Sequence, residues 1–176
     1  MSVCATGKWK YVGPIESEQA ERTDQLGKQQ NIFCIQPSIL KLKDGGLQVL
    51  MRTRNSKIAT SFSYDGGDTW SKVKLIDVPN NQSGTDAVTL KDGRHALIYN
   101  NFETLKGTPK GPRTPVSIAL SKDGTNWKHS ITLEDSPLGQ YSYPAIIQGK
   151  DGSLHCIYTW RRFKMAYKKI DIKKLK

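Results

Sequence analysis

The sequence predicts an all-β chain, a partial β-propeller of about three four-stranded antiparallel blades. Two observations predict it. Asp-Gly turns recur at Asp44-Gly45, Asp92-Gly93 and Asp151-Gly152, each between two apolar runs of strand length. An eight-residue pattern, S-x-D-x-G-x-T-W, runs from Ser63 to Trp70, and a contracted copy runs from Ser121 to Trp127. Asp suits a tight turn because it hydrogen-bonds its own backbone, and Gly because it accepts positive φ. An apolar run, an Asp-Gly turn and a second apolar run make a β-hairpin.

The elements follow in order. Lys8 to Val12 reads as the outer strand of a preceding blade, and Pro14 to Asn31 as a loop, polar and without an apolar stripe; together they form a first region, 1–34. The first blade, 35–83, takes its strands from QPSILKLK, GLQVLMRTR, KIATSFS (57–63) and SKVKLI (71–76). The second, 84–140, takes GTDAVTLK, RHALIYNNF, PVSIALS (115–121) and WKHSITL (127–133), with a long loop from Thr104 to Thr114. The third, 141–176, takes YPAIIQGK, SLHCIYTWR and KMAYKKIDI (164–172), without the eight-residue pattern. Repeats of this size are propeller blades, and a ring closes with 4–8 of them. Three leave open edges, so the chain is expected to be half of a ring, partnered by a missing N-terminal half or by another copy.

With 176 residues the chain has the length of one domain. Its net charge of +11 concentrates toward the end, from Lys164 to Lys176, and reads as a solvated strand and tail. No nucleic-acid-binding module accompanies it, so no nucleic-acid partner is expected. No run of 18 apolar residues predicts a membrane span, and Met1 to Lys10 lacks the apolar stretch of a signal peptide. Cys4, Cys34 and Cys156 have no metal or disulfide spacing, and His95, His129 and His155 are scattered. Neither a metal nor another cofactor is expected.

Chemistry is expected at the channel mouth, where strand one of each blade enters and strand two leaves. Gln36, Ser38, Arg52, Arg54, Asp86, Asn100, Asn101, Tyr143, Tyr158 and Arg161 fall there. Convergent Arg and Tyr suit an anionic sugar, because Arg pairs with a carboxylate through two parallel hydrogen bonds. The other reading of these residues is a set of inter-blade hydrogen bonds.

The eight-residue pattern resembles the Asp-box of sialidase-type β-propellers. The combination IQPS, MRTR, SGTDAV, YSYPA and YTWRR is most similar to bacterial BNR-repeat proteins of the sialidase superfamily known as predicted neuraminidases, from Ile35 to the end. The resemblance implies a six-bladed sialidase-like propeller, of which the chain holds the C-terminal half, with the Asp-box as a hairpin staple away from the active site. It implies that Arg52 and Arg113 belong to an Arg triad that holds the substrate carboxylate. Tyr143, with Tyr141 as competitor, becomes the nucleophile that attacks the anomeric carbon. Arg54, Tyr158 and Arg161, from their places at the channel mouth, join Tyr141 as expected substrate-binding residues. The general acid and the first Arg of the triad belong to the other half. The catalytic Glu position holds Gln36, which cannot take the proton of a phenol whose free pKa is about 10. That departure argues against true sialidase activity, and Asp86 is the substitute carboxylate. The implied function is a sialidase-like exo-glycoside hydrolase module for terminal, acidic sugars of glycans. The alternatives are a non-catalytic glycan-binding propeller and a structural fragment, inactive without its other half. A secreted or periplasmic location follows if the parent is a glycan-degrading bacterial enzyme.

Overall fold

The computed structural model describes residues 10–23, 29–105, 108 and 110–175, with the backbone alone for 21–23 and 29. The fold is all-β, and the one helical turn among the described residues is a short 3-10 segment, Ile172–Lys174. A hairpin, β1 (Gln19–Thr23) and β2 (Gln29–Asn31), comes first. The first sheet has β3 (Cys34–Lys41), β4 (Leu47–Thr53), β5 (Lys57–Ser63) and β6 (Lys74–Pro79), in that order. The second has β7 (Asp86–Thr89), β8 (His95–Asn100), β9 (Val116–Ser121) and β10 (Trp127–Glu134). The third has three strands, β11 (Tyr141–Gln148), β12 (Leu154–Trp160) and β13 (Lys164–Ile170), so the expected trio of four-stranded blades is two plus a three-stranded one. Within each sheet, strands consecutive in sequence pair antiparallel, the meander expected of propeller blades.

The sheets stack face to face. Side chains alternate across a strand, so β8 serves two cores at once. Leu97 and Tyr99 pack with Leu40, Leu50 and Ile58 of the first sheet. Ala96 and Ile98 pack with Ile146, Leu154 and Cys156 of the third. All six residues of β8 and all six of β9 are buried for that reason.

The N-terminal region departs from expectation. Pro14 to Asn31 contains the β1–β2 hairpin, and Ala20 and Ile32 close a third core over Val49, Met51, Ala59 and Val73 on the outer face of the first sheet. Residues 16–18 run parallel to Val73, with Glu18 N donating to Val73 O and Val73 N to Glu16 O, each at 2.8 Å. Among the described residues Ala20 is the one apolar side chain of Pro14 to Asn31 in that core, with Ile32 just after it, so no apolar periodicity marks the hairpin. Lys10 to Val12 form no strand; Lys8, Trp9 and Cys4 lie outside the described residues, as do Gly107 and Pro109 of the long loop.

Each Asp-box turn is a closed hydrogen-bond circuit. Asp65 accepts from Ser63 Oγ (2.9 Å), Thr69 N (2.9 Å) and Thr69 Oγ1 (2.6 Å), while Trp70 Nε1 donates to Gly67 O (3.1 Å). In the contracted copy Asn126 replaces Thr, donating to Asp123 from its backbone N (2.8 Å) and Nδ2 (2.7 Å). These donors hold both carboxyls far below the ordinary carboxylate range. Ser63, which opens the first box, pairs with Leu47 at the start of β4, whereas Arg52 near its end pairs with Ile35. The boxes therefore occupy the end of the sheet opposite Arg52.

Candidate functional site

The three inner strands β3, β7 and β11 lie side by side, tied by side chains. Asp86 makes the central tie. It accepts from Ser38 Oγ of β3 (2.7 Å), from its neighbour Ala87 N (2.9 Å) and from Ile146 N of β11 (2.9 Å).

Two of these strands share an irregularity. Pairing with the second strand breaks between Ile35 and Pro37 in β3, and between Ser142 and Ala145 in β11. The residues at the breaks, Gln36 and Tyr143, have φ of 55° and 50°. Each precedes a proline. A left-handed non-Gly residue costs about 1–3 kcal/mol, and such strain gathers at functional sites. The break swings both side chains outward: Gln36 and Tyr143 are exposed, while Ser142 and Pro144 are buried. Gly84, just ahead of β7, lies between them. A Cβ there would come within 3.2 Å of Gln36 Oε1 and 3.6 Å of Tyr143 Cδ1. Without that side chain, the amide and the ring close on one cleft of about 250 Å³, with Thr85 and Asp86 in its wall.

Two cations flank it. Arg52 stands opposite Ile35, beside the break in β3. Arg113, from the loop before β9, places its guanidinium carbon 5.6 Å from the centre of the Tyr143 ring. Arg52 Nε and Arg113 Nη1 are both buried with no hydrogen-bond partner among the described residues. Burial pushes the Arg52 guanidinium below its ordinary value; the Tyr143 oxygen opposes that shift, and the positive charges of Arg113 and Arg54 add to it. Two guanidinium groups beside one tyrosine ring suit an acceptor of negative charge, since Arg forms charge-assisted hydrogen bonds with such groups.

The structure thus brings Gln36, Arg52, Arg113 and Tyr143 together, with Arg54 within electrostatic reach and stacked 4.1 Å over the Phe33 ring. Asp86 adjoins the cleft, but its three accepted hydrogen bonds make it a tie between inner strands. Tyr141 and Tyr158 are placed elsewhere. Both are buried between the second and third sheets, edge to face at 6.2 Å. The Tyr158 hydroxyl donates to Glu134 Oε1 (2.7 Å), and burial together with that carboxylate pushes it well above its ordinary value. The cause is alternation along β12, which puts Tyr158 on the same inward face as Cys156 and Leu154. Arg161 turns to Trp160, 5.3 Å from its ring, and donates its backbone N to Gln140 O (2.8 Å). Gly84 and Thr85 were legible in the sequence only as part of the SGTDAV motif and not as site residues; that motif was the signal for them. Among the described residues no group of three His, Cys, Asp or Glu could hold a metal ion.

Comparison with known proteins gives a consistent family. A model of the BNR repeat-like domain matches residues 5–156. The anhydrosialidase of Macrobdella decora is 27% identical over 148 residues, which cover 75% of this chain and 19% of that protein. NanB sialidase from Streptococcus pneumoniae, as its K499G mutant, superposes with a TM-score of 0.63 at 20% identity, over 92% of this chain and 28% of that one. The intramolecular trans-sialidase from Ruminococcus gnavus, in complex with oseltamivir carboxylate, superposes with a TM-score of 0.63 at 21% identity, over 80% of this chain and 33% of that one. At these identities the structures share the propeller fold with the chain, which spans a third or less of each relative's length.

Proposed function

The chain belongs to the BNR repeat-like domain family of the sialidase superfamily, and from that premise we propose that it is a sialidase-like exo-glycoside hydrolase module for terminal, acidic sugars of glycans. The observation that carries this reading is the pair of buried guanidinium donors of Arg52 and Arg113, unpartnered among the described residues, beside Tyr143. Arg52 and Arg113 bind the sugar carboxylate. Tyr143 presents its oxygen to the anomeric carbon, forming a bond there as the glycosidic bond breaks. Its proton must pass to a base. Gln36 can orient the Tyr143 oxygen through its amide but cannot accept that proton, and Asp86 is occupied as a tie. Gln36 therefore favours a second reading, in which the same residues bind an acidic glycan without cleaving it. The blade limits 35–83, 84–140 and 141–176 are part of the proposal, as is completion of the ring by an N-terminal half or a second copy.

Calorimetry with N-acetylneuraminic acid and with neutral N-acetylglucosamine tests the binding step. The acidic sugar binds, the neutral one does not, and Arg52→Ala weakens the acidic one about 10- to 100-fold, the loss of a hydrogen bond to a charged group. Equal binding of the neutral sugar, or equal loss on mutation, would remove the carboxylate receptor. An aryl sialoside then tests chemistry. A hydrolase gains turnover from Gln36→Glu; binding with no gain assigns the chain to the second reading.

A further inference from the structure

A second cleft lies across Arg113 from the first. Residues 110–113 and 137–140 form its walls, and Arg162 reaches it from the turn between β12 and β13. Its volume is about 480 Å³, within the range of small-ligand sites. Lys110, Arg113 and Arg162 line it, and no carboxylate joins them in the lining. Glu103 and Asp135 belong to the same loops but lie outside that lining.

Both walls are held in place. Asn81 grips the first, its Nδ2 donating to Pro112 O and its carbonyl accepting from Gly111 N (3.2 Å). Tyr141 N donates to Arg113 O (2.9 Å) and joins the two walls. A Cβ on Gly111 would meet Glu103 O at 2.2 Å, and one on Gly139 would meet Tyr141 Cε2 at 2.2 Å, so both loops pack against the body at their glycines. Arg162 Nε donates to Gln140 Oε1 (3.1 Å), which fixes its guanidinium at the rim. Leu138, 80% exposed, gives the rim an apolar surface that suits the C–H face of a sugar ring.

We propose that this cleft is a second anion-binding subsite, for a negatively charged group on the sugar next to the terminal one. The group is a sulfate ester or a second carboxylate, for which three cations and no acid are the matching chemistry. Arg113 lines the second cleft and its guanidinium carbon lies 5.6 Å from the centre of the Tyr143 ring, which lines the first, so a glycan bearing two anions reaches it from both clefts. The link to a terminal sugar rests on the reading of the Arg52 site given above; the anion affinity of the second cleft does not.

The test separates the two. In Arg52→Ala, whose first cleft is disabled, N-acetylglucosamine 6-sulfate shifts the backbone amide resonances of Gly111, Gly139 and Gln140, and N-acetylglucosamine does not. The double variant Lys110→Gln, Arg162→Gln weakens that response at least tenfold while melting at the parent temperature, and Arg162→Lys keeps most of it. In the unaltered chain, a disialyl probe and a sulfated sialyl-lactosamine show which anion is preferred. The double variant reduces each to the affinity of a monosialyl probe, whose own binding is unchanged. No response to the sulfated sugar at those three amides, or a response that survives the double variant, overturns the subsite. A response there in a chain that fails to bind sialic acid overturns only the terminal-sugar reading.

Discussion

Gln36 and Tyr143 hold a backbone conformation that L-residues avoid, and both precede a proline. The left-handed conformation costs an L-residue about 1–2 kcal/mol, and Gly escapes the cost. Gln36→Gly is accordingly more stable than Gln36→Ala by about 1 kcal/mol, although both lack the amide; urea unfolding of the pair measures it. Equal stability would mean that the bulge relaxes on mutation and that the outward swing of the side chain is not imposed. The same bulge limits what can be read from sequence. Tyr141 and Tyr143 have the same parity along β11, and regular alternation would send both to one face. The register break separates them, one buried against Tyr158 and one facing Arg113. Arg52, Arg113 and Tyr143 were legible because their motifs fix them by residue type. The burial of Tyr158 was not, because a strand-end tyrosine looks alike whether its hydroxyl meets solvent or Glu134.

At the scale of the element, the Asp-box is a turn whose polar groups satisfy one another. Asp65→Ala removes three accepted hydrogen bonds, and Trp70→Ala removes a ring packed on the outer core of the first sheet. The latter costs about 3 kcal/mol, the lower end for a buried aromatic, because Trp70 is only partly buried. Chemical denaturation measures both, and sugar binding by the folded fraction should be unchanged. The carboxyls of Asp65 and Asp123 have folded pKa values depressed by their donors. Their stabilisation is therefore complete above the unfolded value of about 4 and is lost as pH falls through the folded values. The melting temperature drops as pH falls below about 4, and the double variant Asp65→Asn, Asp123→Asn shows a flatter profile there. Gly124 has a second constraint besides its φ of 73°: a Cβ would sit 1.9 Å from Gln48 Oε1, the amide that ties the first sheet to the second box by donating to Gly124 O (2.7 Å). Gly124→Ala should therefore loosen two sheets, and not only one turn. The strands and boxes were legible because each is a local pattern. The β1–β2 hairpin was not, since its place is set by Val49, Met51 and Val73, distant in sequence.

At the scale of the molecule, the two outer sheets have different surroundings. The first is covered by the hairpin. The third shows solvent a face on which Ala145, Ile157 (43% exposed) and Tyr167 (59%) form one cross-strand row, with Ile147 (62%) two residues along β11 from Ala145. Sedimentation is expected to find the isolated chain self-associated through this face, and Ile147→Lys with Ile157→Lys to shift it toward monomer; a chain that is monomeric from the start would show that the face is tolerated in water. The middle sheet has the opposite character. β8 and β9 are buried on both faces, and each face belongs to a different neighbour. Their amides can reach deuterated solvent only when the stack itself comes apart, whereas those of β13 and the β1–β2 hairpin need only a local opening. Exchange followed by mass spectrometry should therefore sort the chain into a slow centre at residues 95–100 and 116–121 and faster flanks. The protection of that centre then measures the free energy of separating one sheet from the next.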